Sequence, residues 1–214
     1  MELNGHSQRF YAALRSADSR QAQEVVRSAL SQGISREEVL DRLVVPSLDS
    51  LGRGWDEGTV SLTQLYMGGR IAEDVVDRLL TPPATPPIPW GRVLIGTLSD
   101  SHGMGQRVVS HYLATAGAQV VSLGIGVKPE TFTQRAKAER FDVIAVSVLM
   151  YRSALLVKEL RQHLSREGVT TPVLVGGAPF NMDRTLWQEV NASAMGSNPA
   201  EGIAVTRRLM GLQP

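Results

Sequence analysis

The stretch "RVLIGTLSDSHGMGQRVVSHYLATAG", residues 92–117, decides the fold. An apolar run, Val93-Leu94-Ile95, gives way to a turn in which Asp100 and His102 flank Ser101. Glycines follow at 103 and 105, and from Gln106 to Gly117 the pattern is that of a helix. Strand, small-residue turn and helix together open a βαβ unit. A histidine on such a turn is free to point out of the sheet, and a carboxylate two residues away can hold its other ring nitrogen. A metal-ligating imidazole is usually built in this way.

Downstream, further short apolar runs alternate with amphipathic segments: "QVVSLG" (119–124), "FDVIAVSVL" (141–149), "PVLVGG" (172–177) and the weaker "ASAMG" (192–196). The alternation predicts a parallel sheet covered on both faces, five strands in the flavodoxin-like (Rossmann-type) order 2-1-3-4-5. Ligands of such sheets bind outside the strands' carboxyl ends, near the switch point between strands one and three. Three loops should therefore converge: "SDSHGMG" (99–105), "SVLMYRS" (147–153) and "GGAPFN" (176–181).

Upstream, "TPPATPPIP" (81–89) holds five of the chain's eleven prolines and reads as a semi-rigid linker over 81–90. Residues 1–80 before it are helical in pattern. "SQRFYAALRSAD", "SRQAQEVVRSALSQG", "SREEVLDRLVVPSLDSLGRGWDEG" and "SLTQLYMGGRIAEDVVDRLL" predict a four-helix bundle, the third opening with a Ser35/Glu38 capping pattern. Pro46 should kink or split that third helix. Leu65, Ile71, Val75, Val76 and Leu79 suit a buried stripe in the fourth. The expected class is thus α/β, with an N-terminal helical cap domain (1–80) and a C-terminal parallel-sheet domain (91–214).

At 214 residues the chain can bury two modest cores without disulfides. A formal charge of +1 gives no electrostatic footprint for nucleic acid, and no basic amphipathic helix suits a membrane surface. The absence of Cys excludes thiolate zinc sites, iron–sulfur clusters and cysteine nucleophiles, and fits a cytoplasmic location. No apolar run reaches spanning length, and "MELNGHSQRF" is unlike a signal peptide.

The bland reading of His102 is a loop residue capping the next helix. His6 falls at a frayed terminus in this reading, and His111 and His163 within helices as surface or packing residues. His102 differs through Asp100 and the open approach left by small neighbours. Gly103, Gly105, Gly176 and Gly177 could serve turns alone. A dinucleotide fingerprint fails because "GMGQRV" lacks the third glycine, and a P-loop fails for want of Lys-Ser/Thr. A phosphoacceptor receiver would want Asp where strand three ends at Ser147. A flavin site stays open, but it gives His102 no role. Trp55, on a Gly-rich turn, and Tyr66 are either bundle core or a cover for a flat ligand.

Taken together, the three loops resemble the cobalamin-binding corrinoid proteins related to the cobalamin module of methionine synthase. That family's Asp-x-His-x-x-Gly, Ser-x-Leu and Gly-Gly elements read here as Asp100-Ser-His102-Gly-Met-Gly105, Ser147-Val-Leu149 and Gly176-Gly177, in order and at the family's spacing. "VPSLDSLGRGWDEGTVSL" (45–62) resembles the family's cap segment, so the likeness covers nearly the whole chain. By resemblance, His102 would displace cobalamin's dimethylbenzimidazole and bind cobalt from below. Asp100 would accept from the other imidazole nitrogen, and Ser153 would complete that relay. Ser101, Gly103 and Met104 belong to the same loop. Gly105, Ser147, Leu149, Tyr151, Gly176 and Gly177 would line the slot for the displaced nucleotide tail. Tyr151 stands where the family often has Thr, and Gly126 where it has an acidic residue.

The resemblance implies a methyl-carrying corrinoid protein. Its partners would be methyl-donor and methyl-acceptor methyltransferases, with a reductive activase as a further candidate, and it would be a carrier subunit and not a complete enzyme. A cobalamin-dependent regulator or light sensor is the alternative. Light-sensing relatives carry Glu-His nine residues after the tryptophan, whereas Trp55 is followed there by Leu65-Tyr66. A mutase cobalamin subunit is a weaker third reading.

Overall fold

Pro46 does not break its helix. In the computed structural model, which describes residues 2–80 and 89–213, α3 (Arg36–Val39) runs through a π-helical stretch, Leu40–Val44, directly into α4 (Val45–Asp56). The Val45 N–H reaches back to the Leu40 carbonyl, one residue further than in an α-helix. That widened turn just before Pro46 lets the helix continue where a proline ring would otherwise clash. The expected split does not occur as a break; the helix changes pitch there instead.

The chain divides between residues 81 and 82 into two compact units. The helical unit also contains α1 (Glu2–Arg15), α2 (Ser19–Ser31) and α5 (Leu62–Leu79). Asp18 caps α2 through the Gln21 N–H, and reciprocal capping boxes, Ser35/Glu38 and Ser61/Gln64, start α3 and α5. Helix α1 packs against α2, α4 and α5 around Phe10, Leu14, Leu43 and Leu51. Ile71, Val75, Val76 and Leu79 are buried as expected, while Leu65 is only half-buried. His6 is not frayed: it lies in α1, is buried, and its Nε2 stands 3.4 Å from Ser28 Oγ. The linker read over 81–90 falls largely on residues 81–88, outside those described.

The second unit comprises β1 (Gly91–Thr97), α6 (Met104–Thr115), β2 (Ala118–Ser122), α7 (Pro129–Ala138) and β3 (Val143–Ser147). It continues with α8 (Tyr151–Leu155), α9 (Val157–Arg166), β4 (Val173–Gly176), α10 (Ala178–Met182), α11 (Leu186–Glu189), β5 (Ala194–Gly196) and α12 (Pro199–Leu209). All strand pairs are parallel, in the order β2-β1-β3-β4-β5. Alternate residues of each strand serve opposite faces. Leu94, Ile144 and Val175 join Phe132, Leu160 and Phe180 on one side; Val93, Ile95 and Ala145 join Leu113 on the other. Burial on both faces explains why the strands read as unbroken apolar runs.

Candidate functional site

β1 ends at the buried Thr97, and the chain then crosses the carboxyl edge of the sheet. Asp100 turns inward, its side chain 1% exposed, whereas the His102 side chain is 51% exposed. Oδ1 of Asp100 accepts from the His102 backbone N–H at 3.0 Å and from ring Nδ1 at 2.6 Å. Oδ2 accepts from the backbone N–H groups of Leu149 and Met150, at 2.8 and 2.9 Å. One carboxylate thus ties the first loop to the third strand's loop. With a carboxylate as its partner Nδ1 carries the proton, and Nε2 keeps its lone pair for a ligand. His102 is no helix cap: the α6 N-cap is Gly103, and the helix starts at Met104, two residues before the position read from the sequence.

Burial pushes the Asp100 carboxyl up, but the bonds from the His102 ring and from the Met150, His102 and Leu149 amides outweigh it and hold the group below its ordinary value. A depressed folded-state pKa contributes stability that is complete above the unfolded value, about 3.9. The contribution is lost as pH falls through the folded value. In denaturant unfolding of the cofactor-free protein, the stability gap between wild type and Asp100→Asn should therefore be widest near neutrality and narrow below about pH 4. A gap that does not change with pH would show that Asp100 is not held as a carboxylate.

The other two loops meet the first through sheet register. Thr97 pairs with Ser147, Ser147 with Gly176, and Gly176 with Gly196, one row across the carboxyl ends of four strands. Registered residues share a face, and this face is the one that α6 and α12 cover. A Cβ on Gly105 would stand 3.0 Å from Ser147 Oγ, and one on Gly196 would stand 3.0 Å from Gly202 Cα. The residues of this row, Thr97, Ser147, Gly176 and Gly196, carry no side chain larger than that of threonine. Thr97 Oγ1, fully buried at its end, has no hydrogen-bond partner among the described residues. An unpaired buried hydroxyl costs about 1–3 kcal/mol, which a polar ligand group could recover.

The residues singled out from sequence are thus distributed in a definite way. Asp100, Ser101, His102, Gly103, Met104 and Gly105 lie on the β1–α6 connection or the first turn of α6. Ser147 ends β3, Gly176 ends β4, and Gly177 precedes α10. Leu149 and Tyr151 are 47% and 56% exposed at the same edge. Ser153 departs from expectation: its hydroxyl donates to the Ser99 carbonyl at 3.1 Å, not to Asp100. Trp55 lies in the last turn of α4 and not on the following glycine turn. Both it and Tyr66 are exposed on the helical unit, at 49% and 65%, so neither is core. Of the helical histidines, His163 faces Glu130 and Glu159 at 3.6 and 3.7 Å as a surface cluster.

Sequence reasoning missed Thr97, Gly196 and the Leu149 and Met150 amides. A hydroxyl residue closing a buried strand was a readable signal for Thr97. The amides left none, because every residue but proline carries one.

Comparison with known proteins places these features in a family. Residues 92–202 match the family model described as B12 binding domain, and residues 7–80 match a second model of the same description. Trimethylamine corrinoid protein 1 of Methanosarcina acetivorans is 26% identical over 92% of this chain and 94% of its own length. Monomethylamine corrinoid protein 1 of Methanosarcina mazei is 27% identical over 87% and 89%. Among solved structures, the monomethylamine corrinoid protein of Methanosarcina barkeri superposes with a TM-score of 0.83 at 22% identity, covering 97% of this chain and 99% of that one. A chain of the methanol:cobalamin methyltransferase complex of the same organism gives 0.53 at 19% identity, over 97% and 80%. At these identities the two structures speak to the fold.

Proposed function

The chain belongs to the B12-binding family, and from that premise we propose that it is a methyl-carrying corrinoid protein serving methyltransferase partners. The observation that carries the site is the Asp100–His102 dyad at the carboxyl edge of the sheet, its Nε2 left for cobalt. The donor set suits the cofactor: an imidazole nitrogen oriented by a carboxylate would serve as a ligand to its metal. The side-chain-poor seam and the unpartnered Thr97 hydroxyl suit a polar nucleotide tail. The methylamine corrinoid relatives support the carrier role.

When bound, cobalamin supplies a cobalt centre able to hold a methyl group. The chain's own residues bind and orient it. His102 would hold the metal through its ring nitrogen, Asp100 would fix the ring and its tautomer, and Gly105, Ser147, Leu149, Tyr151, Gly176 and Gly177 would receive the nucleotide tail, with Ser101, Gly103 and Met104 shaping the loop. Residues 91–214 form the cobalamin-binding domain in this reading, 1–80 the cap and 81–90 the link between them. The chain's partners would be methyl-donor and methyl-acceptor methyltransferases, with a reductive activase a further one, and its site of action would be the cytoplasm. No helix among the described residues is long and apolar enough to cross a membrane. Leu65-Tyr66, in place of the sensors' Glu-His, favours the carrier over the light sensor.

Trp55 is assigned as the aromatic cover of the methyl position, with Tyr66 a weaker second, on the strength of their exposure in the helical unit. Trp55→Ala should then speed photolysis of protein-bound methylcobalamin several-fold while changing corrinoid affinity little. An unchanged photolysis rate would remove Trp55 from this role.

A further inference from the structure

A second histidine of the sheet unit meets carboxylates, and its geometry is not that of the dyad. Glu159 and His163 stand four residues apart on α9 and so share one face of the helix, while Glu130 comes from the first turn of α7. The two helices pack together over Phe132, Leu160 and Leu164, which fixes the backbones that carry the three groups. His163 Nε2 lies 3.6 Å from Glu130 Oε1 and 3.7 Å from Glu159 Oε1. One ligand atom from each residue, an imidazole nitrogen and two carboxylate oxygens, can be chosen so that all lie within 4.8 Å of one another.

Neither contact of the imidazole is a hydrogen bond, whose nitrogen–oxygen distance is about 2.7–3.2 Å. The dyad, by contrast, closes to 2.6 Å. Carboxylates held this near one another also repel. Glu38, Glu73, Glu139 and Glu167 each face an arginine or a lysine, whereas among the described residues Glu130 and Glu159 have His163 alone as a cationic partner. The spacing is that of ligands around a metal: bonds of about 2.0–2.2 Å at tetrahedral angles set neighbouring ligand atoms about 3.3–3.6 Å apart. One imidazole and two carboxylates form a donor set for zinc, with water in the fourth position. Glu159 and His163 border an open groove with Leu155, Gln162 and Arg166, which gives that water room. We propose that Glu130, Glu159 and His163 form a binding site for a divalent transition ion of the zinc class, which ties α7 to α9. The site shares no residue with the corrinoid region and stands whether or not the chain carries a methyl group.

Zinc titration of the metal-stripped, cofactor-free protein tests the site, with His102→Ala as the parent so that the exposed imidazole of the dyad cannot compete. The parent should take up a single zinc ion, measured against a chromophoric chelator. Its Tm should rise by about 5 °C or more at free zinc a hundredfold above the Kd. Cobalt(II) in place of zinc should give the intense ligand-field bands of a four-coordinate centre. His163→Ala in the same parent should abolish all three effects. Glu130→Gln is the sharper variant, because a Glu–His pair on one helix can hold zinc weakly by itself. It should lower zinc affinity by about tenfold or more, since even the outer partner of a ligand is worth about 10–100-fold. Position 130 is exposed, so this variant also serves if the alanine variant folds poorly. No rise in Tm with zinc in the parent, or an affinity untouched by Glu130→Gln, would overturn the proposal and leave His163 as a cation beside two carboxylates. Zinc retained in full by His163→Ala would put the ion on other residues and overturn it equally.

Discussion

Replacing Gly177 by alanine is expected to destabilise the sheet unit by about 3 kcal/mol or more, the cost of a conformation open essentially to glycine plus a direct backbone clash. Gly177 has φ 116° and ψ 177°, and a Cβ there would fall 1.8 Å from the Val148 carbonyl oxygen. Neither strand nor loop can yield cheaply, because the Val148 N–H is itself bonded to the Gly176 carbonyl. Gly176→Ala makes the control. Its Cβ would meet the Gly196 carbonyl at 3.0 Å, a contact a few tenths of an ångström of movement can relieve. Denaturant unfolding of the two variants should show Gly177→Ala far the less stable, with a fall in Tm of roughly 10 °C. Equal, small losses in both would mean that the backbone at Gly177 is not as described.

His102→Ala should remove the protein-derived axial nitrogen completely while leaving part of the corrinoid affinity, since the tail contacts lie elsewhere on the sheet edge. Its companion, Asp100→Asn, tests the dyad more finely. The carboxylate uses both oxygens as acceptors, and an amide has only one. Asparagine must therefore give up either the imidazole or the Leu149 and Met150 amides. Nitrogen ligation should persist in Asp100→Asn, with cofactor affinity lower by roughly 10–100-fold, as is usual when a ligand's orienting partner is lost. Titrating each variant with cobalamin and following absorbance gives both affinities. A wild-type affinity and spectrum in His102→Ala would remove His102 from the site.

The strand order and the three converging loops were legible because a parallel sheet buried on both faces writes itself as unbroken apolar runs separated by helices. The dyad was legible because Asp100 and His102 lie two residues apart on one turn. What could not be read depends on where backbone groups end up. The Leu149 and Met150 amides, which meet the Asp100 carboxylate, are invisible in any sequence. The π-helical accommodation of Pro46 is a choice among backbone paths that the residue types leave open. His6 is buried because α1 carries it against Ser28 of α2, a tertiary contact with no local signature. Gly196 joined the site only through β4–β5 register, its own strand being three residues long.

The measurement closest to the site assignment is paramagnetic resonance of the cobalt(II) form, prepared from uniformly nitrogen-15-labelled protein and unlabelled cobalamin. With His102 as the lower ligand, the superhyperfine pattern should be the doublet of a nitrogen-15 nucleus, and it should vanish in His102→Ala. A triplet from nitrogen-14, unchanged by the protein label, would place dimethylbenzimidazole on cobalt and contradict the assignment of His102 as its ligand.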